Sequence, residues 1–165
     1  MACTKTLTPD EDLDTGAGVS HRSARGADLV SLVALDRLCF GDRAWSARGW
    51  WEVLASRSWR TIVLTCGAAI VGASVMVLAR PTSVLASLAV APTHRQRGLG
   101  RWLLREAVRR SNEFGAAWLS LEVDRSNAAA RRLYEREGFG TLRRFEEDGV
   151  GRLELLRRLG GRLGH

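Results

Sequence analysis

The segment APTHRQRGLGRWLLREAV, residues 91–108, sets the tightest bounds on what this chain can be. An apolar run ends at Val90, Pro92 stops it, and an amphipathic stretch follows over 98–113. The pattern predicts a strand, a basic turn and a helix. The first amides of such a helix have no partner inside it, and the aligned peptide dipoles add partial positive charge at that end. Gly98 and Gly100 lack a Cβ, so a ligand can come close to the backbone. Arg95, Arg97 and Arg101 add formal charge. Together these features make an anion site suited to phosphate or pyrophosphate.

Two common phosphate frames do not fit. The P-loop requires a lysine followed by Ser or Thr, and this stretch has no lysine. The dinucleotide fingerprint requires a third glycine where Leu103 stands, and Glu122 matches its downstream acidic residue only loosely. A lone G-x-G is better explained by a glycine-relieved helix start with solvated arginines, so the rest of the chain has to decide.

The chain has 165 residues, 45% of them hydrophobic, which is enough for one domain with one core. No apolar run approaches the ~18 residues a membrane helix needs. The start, MACTKTLTPDEDLDTG, is polar and acidic and lacks the pattern of a signal peptide. A cytoplasmic protein with no membrane partner is therefore expected. Cys3, Cys39 and Cys66 lie far apart, as do His21, His94 and His165, so neither a disulfide framework nor a metal site is expected. The net charge is +7, and residues 1–14 contribute −3 of it, leaving +10 on the rest. Such a balance attracts anions or RNA. Lys5 is the only lysine beside 24 arginines, though, and the global charge is read as compositional, with no direct nucleic-acid binding expected.

Along the chain, VSHRSA (19–24) reads as a strand. ADLVSLVALDRLCF (27–40) reads as a helix with Leu29, Val30, Val33, Leu35 and Leu38 on its apolar stripe. WSARGWWEVLAS (45–56) reads as a second helix capped by Ser46. WRTIVLTC and AIVGASVMVLA form a hairpin at Gly67, and SVLASLAVAP (83–92) is a further strand. After the helix at 98–113 come a strand at 116–124, a short helix at 127–138 and a strand pair around Gly149. The order β-α-α-β-β-β-α-β-α-β-β implies an α/β fold with a mixed sheet. The expected organisation is a lead-in at 1–18, a single domain at 19–159 and a tail at 160–165.

The run Arg95-Gln96-Arg97-Gly98-Leu99-Gly100 has the form [Q/R]-x-x-G-x-[G/A] after a strand ending LAVAP. It resembles motif A of the GNAT superfamily of N-acetyltransferases. LSLEVDRSNAAARRLYEREGF (119–139) is similar to the RimI-like branch, the ribosomal-protein alanine N-acetyltransferases, which reads L-x-V and then S-N-x-x-A-x-x-L-Y-x-x-x-G-F. LCFGDRAWSARGWWEVLA (38–55) resembles the F-x-x-x-W-S segment of that branch. The resemblance covers roughly 19–145. It implies a GNAT fold, a mixed twisted sheet with helices on both faces, splayed where acetyl-coenzyme A enters. It also implies acetyl-coenzyme A as co-substrate, without a metal, and acetyl transfer to a primary amine. The favoured acceptor is an N-terminal alanine of a ribosomal or other protein. Lysine or a small amine is the alternative, and a non-catalytic binder of acyl-coenzyme A or RNA is the alternative from another class.

The resemblance places the pyrophosphate at Gln96, Arg97, Gly98, Leu99, Gly100 and Arg101. The backbone of Leu88, Ala89 and Val90 would pair with the pantetheine arm, with the Leu88 amide as oxyanion donor. Asn127 would contact coenzyme A while capping its helix. Glu122 alternates with Leu119, Leu121 and Val123, so it points away from that apolar set. The resemblance makes it the base and Tyr134, the only tyrosine, the acid. Trp45, Trp50 and Trp51 would border the acceptor groove, with at least two of them in the core. The chain departs from the branch at RRFEEDGVGRLELLRRL, which has a tight turn at Gly149 in place of a longer, tyrosine-containing loop that helps clamp the peptide.

Overall fold

The computed structural model describes residues 18–160, so the acidic lead-in and the last residues of the tail lie outside the described residues. The elements are β1 (Val19–Ser23), α1 (Leu29–Phe40), α2 (Ala47–Ala55), β2 (Trp59–Cys66), β3 (Ala69–Val77), β4 (Thr82–Val90), α3 (Leu99–Phe114), β5 (Trp118–Asp124), α4 (Ala128–Arg136), β6 (Gly140–Glu147) and β7 (Val150–Arg158). The order is the one expected. The strands form a seven-stranded sheet in the order β1-β2-β3-β4-β5-β7-β6. The β4–β5 pair is parallel, while β1–β2, β5–β7 and β6–β7 are antiparallel, so the sheet is mixed. The chain divides into two compact units. One is the chain up to Val75 with Ser87–Leu104; the other is Met76–Ala86 with the chain from Arg105.

In the first unit the core is built on Leu32, Trp50, Ile62, Val63 and Val75, all 2% exposed or less. Each such side chain contributes about 1.5–3 kcal/mol of burial. The stripe expected on α1 is corrected here. Val30 and Leu38 are 79% and 64% exposed, and the buried face is Leu32, Leu35 and Asp36. Apolar residues occupy nine of the twelve positions of this helix and fall on every side of it, so periodicity alone leaves its rotation open. Asp36 helps set it. Its carboxylate accepts the backbone N–H of Trp45 at 2.6 Å and the indole N–H of Trp50 at 3.1 Å. Burial pushes the Asp36 carboxyl above its ordinary value, opposed by these two bonds. Ser46 caps α2 as expected, accepting from the Gly49 amide at 3.1 Å.

In the second unit, β4 and β5 pair over Thr82–Leu85 and Trp118–Leu121. The ladder ends there, although β4 continues to Val90 and β5 to Asp124. On α3, the buried carboxylate of Glu106 takes hydrogen bonds from Arg109 at 2.6 and 2.8 Å and from Arg110 at 2.7 Å. Arg105 reaches Glu137, at the end of α4, at 3.0 Å. The β6–β7 hairpin closes through Asp148 and Gly149, at φ 50° and 74°. Two central residues at positive φ make the primed two-residue turn whose twist matches the strands.

Candidate active site

The basic turn is built where β4 stops. The Ala91 amide donates to Val71 O on β3 at 2.8 Å. Successive residues of a strand direct their backbone groups to opposite edges, so Leu88 and Val90 direct theirs away from β3. The Val90 carbonyl is already engaged: the Arg95 guanidinium donates to it at 3.0 Å and the Cys39 thiol at 3.5 Å. Gln96 then sits at φ 62° and Gly98 at φ 78°, both in the left-handed region. That double reversal brings the chain into α3, whose first helical bond runs from the Trp102 amide to Gly98 O at 3.0 Å. The amides of Leu99 and Gly100 precede it, at the end where an α-helix supplies no acceptor of its own.

Arg95, Gln96, Arg97, Gly98 and Arg101 are exposed, whereas the Leu99 side chain is buried at 2%. Leu99 can therefore serve a ligand only through its backbone. Ala89 and Val90 are buried and Leu88 is half-buried. The first unit thus gathers the whole run from Leu88 to Arg101 on one strand end, one turn and one helix start. Trp50 is core, Trp45 packs on Trp50 and Trp59, and Trp51 is 62% exposed.

Glu122, Asn127 and Tyr134 belong to the second unit. Glu122 lies exposed on β5 between the buried Leu121 and Val123. Its carboxylate is 3.5 Å from the guanidinium of Arg152 on β7. Asn127 Oδ1 accepts the Ala130 amide at 3.1 Å and caps α4. The cap occupies its oxygen and leaves the amide NH₂ able to donate. Tyr134 is buried at 8%, edge-on to Phe139 with ring centroids 6.0 Å apart. Burial pushes its phenol up to about 12. Among the described residues, no group of three or more His, Cys, Asp or Glu side chains could hold a metal. No helix there is long and apolar enough to cross a membrane.

A model of the acetyltransferase (GNAT) family matches residues 30–139, more than half of the chain. The chain belongs to the GNAT acetyltransferase family. A GNAT relative, the [ribosomal protein bS18]-alanine N-acetyltransferase of Escherichia coli K12, is 45% identical over 64 residues. That match covers 38% of this chain and spans 43% of the length of that curated relative. Streptothricin acetyltransferase of Streptomyces lavendulae is 50% identical over 50 residues, covering 30% of this chain and 26% of the relative. The fold is shared with the crystal structure of the Escherichia coli ribosomal-protein-S18-alanine N-acetyltransferase. Its TM-score is 0.78 at 22% identity, over 89% of this chain and 99% of that one. The PaiA N-acetyltransferase of Thermoplasma acidophilum, solved with coenzyme A, matches with a TM-score of 0.71 at 16% identity, over 86% of this chain and 99% of that one.

Two features of this GNAT chain escape a reading of its sequence. Arg95 reads there as charge for a ligand, and in the structure it also bonds Val90. Arg152 sits in an unremarkable alternating strand, and only the pairing of β5 with β7 brings it beside Glu122.

Proposed function

We propose that this protein is an acetyl-coenzyme A-dependent N-acetyltransferase that acetylates a primary amine, with the N-terminal alanine of a ribosomal or other protein as its favoured acceptor. The turn that opens α3 carries the proposal: Gln96 and Gly98 at positive φ, a helix N-terminus directly behind them, and exposed arginines. In this reading the amides of Gly98–Arg101 and the Arg97 and Arg101 guanidiniums hold the pyrophosphate of acetyl-coenzyme A. The edge of β4 at Leu88–Val90 pairs with the pantetheine arm. The Leu88 amide donates to the negative charge that develops on the thioester oxygen. Asn127 adds a donor toward the co-substrate from its free NH₂.

The amine must be neutral to attack the thioester carbon, so Glu122 takes its proton, directly or through water. As the C–S bond breaks, the thiolate gains the electron pair. In this reading Tyr134 is its hydrogen-bond donor. A phenol pushed up to about 12 stays protonated at neutral pH. A coenzyme A thiol resembles cysteine, near ~8.5, so Tyr134 acts by hydrogen-bonding the thiolate more than by giving up its proton. An exposed carboxylate base also suits an α-amine, near ~7.8, better than lysine near ~10.4. The Escherichia coli relative, named for alanine N-acetylation of a ribosomal protein, supports the same acceptor.

A small-molecule amine is the second reading, favoured by the streptothricin acetyltransferase relative. The deciding experiment offers labelled acetyl-coenzyme A to a peptide with a free N-terminal alanine, to an N-blocked peptide carrying lysine, and to a polyamine. Labelling of the free terminus alone is expected. Labelling of only the others replaces the acceptor. Binding of coenzyme A with no transfer to any of them supports a non-catalytic acyl-coenzyme A binder.

A further inference from the structure

We propose that Arg152 is a positioning residue for Glu122, holding the carboxylate in place for proton removal from the acceptor amine. The inference rests on the reading of Glu122 as base. Arg152 lies on β7 directly opposite Asp124 of β5, and Glu122 is one step along the same face, opposite Glu154. The guanidinium addresses three carboxylates through three different nitrogens. Nη1 donates to Glu147 at the end of β6 at 2.8 Å, Nη2 lies 3.5 Å from Glu122, and Nε lies 3.8 Å from Asp124. A planar fork can do this; a lysine ammonium cannot.

The distances divide the work. The Glu147 bond is a full charge-assisted hydrogen bond and anchors the guanidinium, whose side chain is only 17% exposed. The 3.5 Å approach to Glu122 is longer than such a bond. It attracts and orients the carboxylate without committing the lone pairs that a base needs. The surrounding charge makes Arg152 necessary. Asp124 on β5, Glu154 on β7 and Glu147 on β6 share the face with Glu122. Of the other guanidiniums on that face, Arg143 on β6 is bonded to Glu154 at 3.0 Å, and Arg158 on β7 lies two ladder steps farther along, opposite Trp118. β4, on the opposite side of β5, has no charged residue. Without Arg152, Glu122 would meet mainly like charge and have no cation to hold its side chain in place.

The test is a double-mutant cycle of Glu122→Gln and Arg152→Gln, assayed on the acceptor that the wild type labels. Coenzyme A affinity is measured for every variant. Arg152→Gln is expected to lower kcat about tenfold and to leave coenzyme A affinity unchanged. In the Glu122→Gln background the same change should cost nothing further. Arg152→Lys should recover part of the rate, and it carries the cycle if the glutamine variant fails to fold. Equal losses in both backgrounds would overturn the proposal by making Arg152 merely structural. A wild-type rate in Arg152→Gln, beside a slow Glu122→Gln, would overturn it while the base reading stands. A wild-type rate in Glu122→Gln would overturn both.

Discussion

Arg95 donates its Nε–H to the backbone carbonyl of Val90 at 3.0 Å, tying the first residue of the basic turn to the last residue of β4. The turn is thus held by one of its own arginines before any anion arrives. Such a bond is worth about 1 kcal/mol. Arg95→Met should therefore weaken coenzyme A binding about fivefold by titration calorimetry. Unchanged affinity would mean that the left-handed backbone holds itself.

Tyr134 is the only tyrosine, so its ionisation can be followed directly by ultraviolet absorbance. Burial pushes it up to about 12, and the unfolded chain should titrate near ~10. A raised folded value means that the contribution to stability is complete below the unfolded value and is lost as pH rises from there through about 12. Tyr134→Phe should remove that alkaline component and lower turnover with coenzyme A binding kept. A native phenol titrating near ~10 would contradict its burial.

Asp36 holds two N–H groups, one of them the buried indole of Trp50. Asp36→Ala leaves that donor unpaired and should destabilise the fold by about 1–3 kcal/mol in urea unfolding. Asp36→Asn keeps an acceptor and should lose less. Because the folded carboxyl lies above its ordinary value, the wild type should gain on the asparagine variant as pH falls. A gap independent of pH would argue against a buried, charged carboxylate.

Glu106 shows the opposite sign. It is buried, yet Arg109 and Arg110 hold its carboxyl down at about 2. Its contribution should be complete above the unfolded value near 4.5 and lost as pH falls toward about 2. Glu106→Gln should melt below the wild type at pH 7, and the two melting curves should converge near pH 2. A constant gap down to that pH would refute the pairing.

Features set within a few residues were legible in the sequence. Ser46 and Asn127 each cap through an amide three positions on, so their roles follow from local chemistry. The turn at Gly98 was legible because few residues other than glycine sit easily at its φ. Gln96, at φ 62°, was legible only as part of a motif. The rotation of α1 was not legible, because a helix with apolar residues on every side leaves it to tertiary contacts. Arg152 was not legible either. Its partners lie on β5 and β6, and pairing register is a property of the folded sheet.

The turn at Asp148 and Gly149 leaves β6 and β7 no slack chain to fold over a visitor. A molecule arriving at that end of the hairpin meets a surface formed in advance. It pays no ordering entropy for this segment. Discrimination at this end therefore rests on shape and charge already in place, and any commitment that depends on closing around a substrate has to come from elsewhere in the chain or from the substrate itself.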